Sequence, residues 1–207
     1  MKKTEVYKLN WSTLFKFDSS TIILITSNII TIFIALIQNW EPIQIMLVYW
    51  IQSVIIGFFT FIKIISLKEF STKNFKTNNK NVEPNSGTKY STAFFFLVHY
   101  GGFHAGYLLI LILEFQLKLN TLLLLIPSIL FFINHLYSFV YNYKADSEKV
   151  RNIGSIMFFP YARIIPMHLT IIFGSFLAAN QFTLILFLGL KTIADVIMHL
   201  IEHSKEE

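Results

Sequence analysis

Residues 42–65 read PIQIMLVYWIQSVIIGFFTFIKII, an apolar run whose one charged residue, Lys63, stands close to its end. At about 1.5 Å of rise per residue, a helix of this length spans the roughly 30 Å hydrocarbon layer of a bilayer. Pro42 suits a helix start, because the N–H it lacks would have no partner in the first turn. Moving outward, similar runs lie at 21–38, 92–113, 121–141, 161–179 and 182–201. Asn39-Trp40-Glu41 leaves room only for a tight hairpin before residue 42, and Asn180-Gln181 joins the last two runs as closely. The stretch 66–91 differs: it is rich in Lys, Asn, Thr and Ser, contains Pro84 and Gly87, and lacks apolar periodicity, so it reads as a flexible loop.

Composition agrees with the runs. Of 207 residues, 54% are hydrophobic and 14% charged, too little polar surface to cover a water-soluble globule of this size. The expected fold class is all-α: one integral membrane bundle of about six transmembrane helices, a single domain over residues 1–207. The absence of cysteine excludes disulfides, thiolate metal sites and thiol nucleophiles. The net charge of +5 does not imply nucleic acid as a partner, because Lys and Arg lie between apolar runs and form no binding face.

The basic residues read instead as topology signals. With the N-terminus inside, the inner segments carry Lys2, Lys3, Lys8, Lys16, Lys68, Lys73, Lys76, Lys80, Lys89, Lys144, Lys149, Arg151 and Lys205, and the outer connections carry Lys118 alone. Tyr90, Tyr141, Tyr143 and Tyr161 then fall at inner span ends and Trp40 at the outer surface, where amphipathic rings favour the interface. Both termini are expected in the cytoplasm and the chain in the plasma membrane, with the lipid bilayer as its first partner. The N-terminal MKKTEVYKLNWSTLFKFDSS lacks a short apolar core with a small-residue cleavage site, so the first apolar run is expected to stay in the protein. The segment RNIGSIMFFPYAR at 151–163 suits the inner interface before the fifth span.

Function is sought among the ionisable groups inside these runs, since each costs about 2.5–3.5 kcal/mol at a helix centre. They are His99, His104, His135, His168, Lys191, Asp195 and His199, with Arg163 and His203 near inner ends. Counting helical rise from the inner boundaries puts His99, His135, His168 and Asp195 in one layer roughly 10 Å below the cytoplasmic surface. Lys191, Asp195, His199 and His203 recur every four residues and form one stripe, expected to face inward. Asp and His at i, i+4 suit a shared metal ion or a proton relay. Gly102 and Gly106 make a small-xxx-small pair on the His99 side of its helix, admitting a close backbone neighbour. Pro166 is expected to kink the fifth span beside His168. Arg163 reads as snorkelling to headgroups or clamping an anionic group. Tyr49, Trp50, Gln52 and Ser53 read as ordinary interhelical hydrogen bonding.

The set YW-x-Q-S at 49–53, HYGGFH at 99–104, R-x-x-P-M-H at 163–168 and D-x-x-x-H at 195–199 resembles a family of uncharacterised bacterial and archaeal multi-pass membrane proteins grouped as a domain of unknown function. The resemblance runs from about Pro42 to His203 and implies no activity. It places an acidic residue and an Asn where this chain has Gln52 and Ser53. A weaker similarity of chemistry connects the chain to the intramembrane zinc hydrolases of the ceramidase and adipo-receptor type, which gather His and Asp near the cytoplasmic face.

Four functions are weighed. The first is a metal centre of His99, His168, Asp195 and His199, with His104, His135, Arg163 and Lys191 as secondary candidates, holding zinc or iron and activating water against a lipid-like substrate. The second is a haem or quinone protein with His99 and His168 as axial ligands. The third is a proton-coupled transporter built on Lys191, Asp195 and the histidines, with a homo-oligomer supplying further spans. The fourth is a scaffold whose polar groups only bind helices together.

Overall fold

The computed structural model describes residues 19–77, 79–115, 121–148, 150–177 and 181–204. Among them are six helices: α1 (Ser19–Ile37), α2 (Pro42–Ser66), α3 (Ser86–Phe115), α4 (Thr121–Glu148), α5 (Ile153–Leu177) and α6 (Gln181–Ser204). Among the described residues, four helical segments, Ser19–Ile37, Ile43–Ser66, Ser86–Leu113 and Leu124–Tyr141, are long and apolar enough to cross a membrane. The sequence before residue 19, the connection with Lys118 and the turn at Asn180 lie outside the described residues.

Helix ends follow local chemistry. The α1–α2 hairpin turns at Asn39, whose φ of 50° is a conformation Asn tolerates. The Gln44 side chain accepts from the Glu41 N–H at 2.7 Å, half of a capping box in front of Pro42. Asn85 and Asn152 cap α3 and α5, their side-chain oxygens accepting from the N–H groups of Thr88 at 2.9 Å and Ser155 at 3.1 Å. The segment read as the inner-interface stretch 151–163 is helical from Ile153, and α5 continues through Pro160 and Pro166.

The stretch between α2 and α3 carries two small pairings. β1 (Phe70–Ser71) pairs in parallel with β4 (Arg151–Asn152), and β2 (Lys76–Thr77) forms a hairpin with β3 (Lys80–Asn81). The hairpin turns through Asn79 at φ 63°. The β1–β4 pair ties the α2–α3 and α4–α5 connections together at one end of the bundle.

α2 packs against α3, α4 and α5, while α1 lies on α4 and α6, and α6 on α5. Two apolar clusters result. One, at the strand-bearing end, joins Ile64, Phe70, Phe96, Ile153 and Ile164; the other, toward the α1–α2 hairpin, joins Ala35, Trp40, Met46, Leu111, Phe131 and Leu188. α2 passes from one to the other, and its two polar residues between them, Gln52 and Ser53, are buried.

Candidate functional site

The site is built on α6. Lys191, Asp195 and His199 stand one turn apart and so share a face, and all three are buried, Lys191 at 4% exposure and Asp195 at 2%. The Lys191 ammonium forms an ion pair with Asp195 Oδ2 and donates to Gln52 Oε1 on α2. It also reaches Asn28 Oδ1 on α1 at 3.4 Å, a long contact. Three oxygens thus face its three N–H groups. Gln52 turns its amide nitrogen to Asp195 Oδ2 at 3.1 Å, so one side chain serves both charges. The Tyr49 ring lies 4.0 Å from the ammonium and the Phe131 ring 5.3 Å, adding cation–π attraction where water is excluded.

α1 is shaped to receive this face. Its buried residues are Ser20, Thr21, Leu24, Ser27, Asn28, Thr31 and Ala35, a mostly polar stripe on an apolar helix. Asn28 Nδ2 donates to the Leu24 carbonyl at 3.0 Å, which directs Oδ1 toward Lys191. Ser27 and Thr31 donate to the carbonyls four residues earlier, each at 2.8 Å, leaving their lone pairs as acceptors. One turn beyond Asp195, His199 Nε2 meets Ser20 Oγ at 2.8 Å. The same face of α6 therefore carries two polar contacts one turn apart, Lys191 with Asp195 and His199 with Ser20.

Arg163 on α5 completes the walls of a cavity with Tyr49, Gln52, Ser53, Ile56, Lys191 and Asp195. Its volume of about 10 Å³ is at the lower bound for one water molecule. Chemically this is a buried, charged, hydrogen-bonded centre with no room for a substrate of several atoms.

Beside it, Tyr100 on α3 donates to the Ser53 carbonyl at 2.9 Å and meets Ser53 Oγ at 3.1 Å. Gly57 makes this possible, because a methyl there would lie 2.5 Å from Tyr100 Cε1. The Tyr100 ring stacks on His104, whose Nδ1 donates to the Tyr100 carbonyl at 2.8 Å, and Trp50 Nε1 donates to the His104 carbonyl at 2.8 Å. His104 thereby carries a proton on Nδ1, since a carbonyl oxygen can only accept.

The residues singled out from sequence distribute unevenly. Lys191, Asp195 and Arg163 share one cavity, and His199, one turn along α6 from Asp195, pairs with Ser20 instead. Arg163 is buried rather than extended toward a surface. His99 is exposed: its Nδ1 meets Tyr161 Oη at 2.8 Å and its ring stacks on Phe95. His99 shares no described contact with Asp195 or His199, because α3 turns Phe96, Tyr100, His104 and Tyr107 inward and leaves His99 at the edge facing α5. His135 is buried on α4 next to Asn134, also buried. The side chains of His168 and His203 lie outside the described residues. Among the described residues, no three His, Cys, Asp or Glu groups converge as metal ligands. Gly102 and Gly106 have nothing within 4 Å of where a Cβ would stand, so the close approach expected there occurs at Gly57 instead.

Sequence reasoning missed Asn28, Tyr49, Gln52 and Ser20 as members of the centre. The available signal was the recurrence of Ser20, Ser27, Asn28 and Thr31 at helical spacing on one side of an otherwise apolar run, a pattern that sets polar groups on the packed face.

Comparison with curated proteins and with solved structures gives no match. A family model does match, over residues 10–207, nearly the whole chain including every residue of the centre. The chain belongs to that family, described as a family of unknown function (DUF6498).

Proposed function

We propose that this is a multi-pass membrane protein with both termini and the basic connections on the cytoplasmic side of the plasma membrane, and that it works as a proton transporter. The Lys191–Asp195 centre is its proton-binding element. The observation that carries the reading is the burial of this pair between two apolar clusters with its hydrogen bonds matched by Gln52 and Asn28. A lysine and an aspartate within a bilayer are costly, and such groups mark ion and proton pathways. Apolar side chains of equal volume would hold the helices as well or better. The ammonium and carboxylate touch directly, so a proton passes between them without rearrangement of the chain, and His199 with Ser20 forms the next polar contact toward the end of α6.

The test is proton flux into liposomes holding purified protein and a pH-sensitive dye, under an imposed pH gradient. Wild type should carry protons, and Lys191→Met or Asp195→Asn should lower the flux roughly a hundredfold, the scale of losing a positioned acid–base group. Flux equal to that of empty liposomes, or variants as active as wild type, would sink the proposal.

A second reading rests on Asp195 and His199, buried one turn apart on α6. In it they join His168 and His99 around zinc or iron, and hydrolyse a lipid-like substrate. It requires Asp195 to leave Lys191 and His199 to leave Ser20. Stoichiometric metal in purified wild type, lost in Asp195→Ala and His168→Ala, would support it over the transporter; metal-free active protein would end it.

A further inference from the structure

A groove of about 600 Å³ opens at the strand-bearing end of the bundle and shares no lining residue with the Lys191 cavity. The connection between α2 and α3 supplies Lys73, Asn74 and Phe75 to one wall; α5 supplies Asn152, Ser155 and Phe158 to the other, and Met198 of α6 closes it. The walls are held rigidly. Asn152 Nδ2 donates to the Lys73 carbonyl at 2.7 Å while its Oδ1 accepts from Ser155, and the Phe75 ring lies against Gly154, where a methyl would come within 2.7 Å. The groove is therefore formed before any ligand arrives.

Its lining divides by chemistry. Lys73, Asn74, Asn152 and Ser155 offer a cation and hydrogen-bonding groups, no lining residue among the described ones is acidic, and Phe158, Phe159 and Met198 continue as an apolar floor. Phe158 is exposed, so the floor opens sideways onto the flank of the bundle. The connection between α2 and α3 carries Lys68, Lys76 and Lys80 besides Lys73, against Glu69 and Glu83, while the start of α3 adds Lys89 and β4 adds Arg151. A soluble anion has no use for the aromatic floor, and an uncharged lipid has none for the basic rim. Basic pockets at the cytoplasmic ends of membrane helices match anionic headgroups. We propose that this groove binds an anionic phospholipid, its phosphate at Lys73 and Ser155 and an acyl chain along Phe158 and Met198. The proposal rests on the membrane placement argued above and not on proton transport.

The full chain in phosphatidylcholine nanodiscs is titrated with dioctanoyl phosphatidylglycerol, dioctanoyl phosphatidylcholine and inorganic phosphate, with binding read by native mass spectrometry. Phosphatidylglycerol should bind at one site per chain, about tenfold more tightly than phosphatidylcholine, and lose about tenfold in Lys73→Glu. Ser155→Asp should weaken it similarly without harming the fold, since an acidic residue in the first turn of a helix is favourable. The double replacement Lys191→Met with Asp195→Leu, which removes both charges of the proton centre together, should leave lipid binding unchanged, so failure of the transport reading and failure of this one are separable. Equal affinity for the two lipids, insensitivity to both groove variants, or equally tight binding of phosphate alone would overturn the proposal. Failure of the chain to enter nanodiscs would overturn the membrane placement itself.

Discussion

Lys191 is satisfied by three oxygens on three helices, and this decides what its replacement does. Lys191→Met leaves Asp195 with the Gln52 amide but without its cation, and removing one partner of a buried pair costs about 3–5 kcal/mol. Unfolding in detergent should show that loss. The double replacement Lys191→Met with Asp195→Leu removes both charges and should return stability to within about 1–2 kcal/mol of wild type while abolishing proton flux. Recovery of stability without recovery of flux separates a working centre from a structural one. Glycine positions divide as sharply. At Gly57 a methyl collides with Tyr100, so Gly57→Ala should cost about 1–3 kcal/mol through overpacking and displace the Tyr100–Ser53 hydrogen bond. At Gly102 the space is open, and Gly102→Ala should be neutral or stabilise by roughly 0.5–1 kcal/mol through helix propensity. Thermal unfolding of the two variants side by side checks both signs.

Among the elements, α1 shows how a helix with little charge can organise a charged centre. Its packed stripe of Ser20, Thr21, Ser27, Asn28 and Thr31 places acceptors opposite α6. Asn28→Leu keeps the branched shape but deprives Lys191 of one oxygen, and leaving such a donor unmatched costs about 1–3 kcal/mol; proton flux should fall with it. α3 has the opposite character. Its packed side is largely aromatic, from Phe96 through Tyr100 to Tyr107, and its outer side exposes Phe94, Leu97, Val98, Leu109 and Leu113. The helices were legible as apolar runs because a long apolar stretch between polar connections is a local property of the sequence. Their starts at Ser86 and Ile153 were less so, because Asn85 and Asn152 act through single side-chain caps in polar sequence.

For the whole molecule, the β1–β4 pair gathers the connections bearing Lys68, Lys73, Lys76, Lys80 and Arg151 at one end, and the hairpin at Asn39 lies at the other. A chain without cysteine suits a direct test of orientation. A single cysteine at Asn39 should react with an impermeant maleimide in intact cells, and one at Asn79 only after the cells are opened; the reverse pattern would invert the proposed topology. The sequence by itself determined that the chain is a helical bundle rich in apolar runs, with Lys191, Asp195 and His199 on one stripe, because length, hydropathy and the helical repeat are local properties. Which groups meet was decided by tertiary structure alone. The rotation of α3 sends His104 inward and His99 outward, and the packing of α1 and α2 brings Asn28 and Gln52 to Lys191. Contacts between residues distant in the chain depend on how whole helix faces match, and no short window of sequence contains that information.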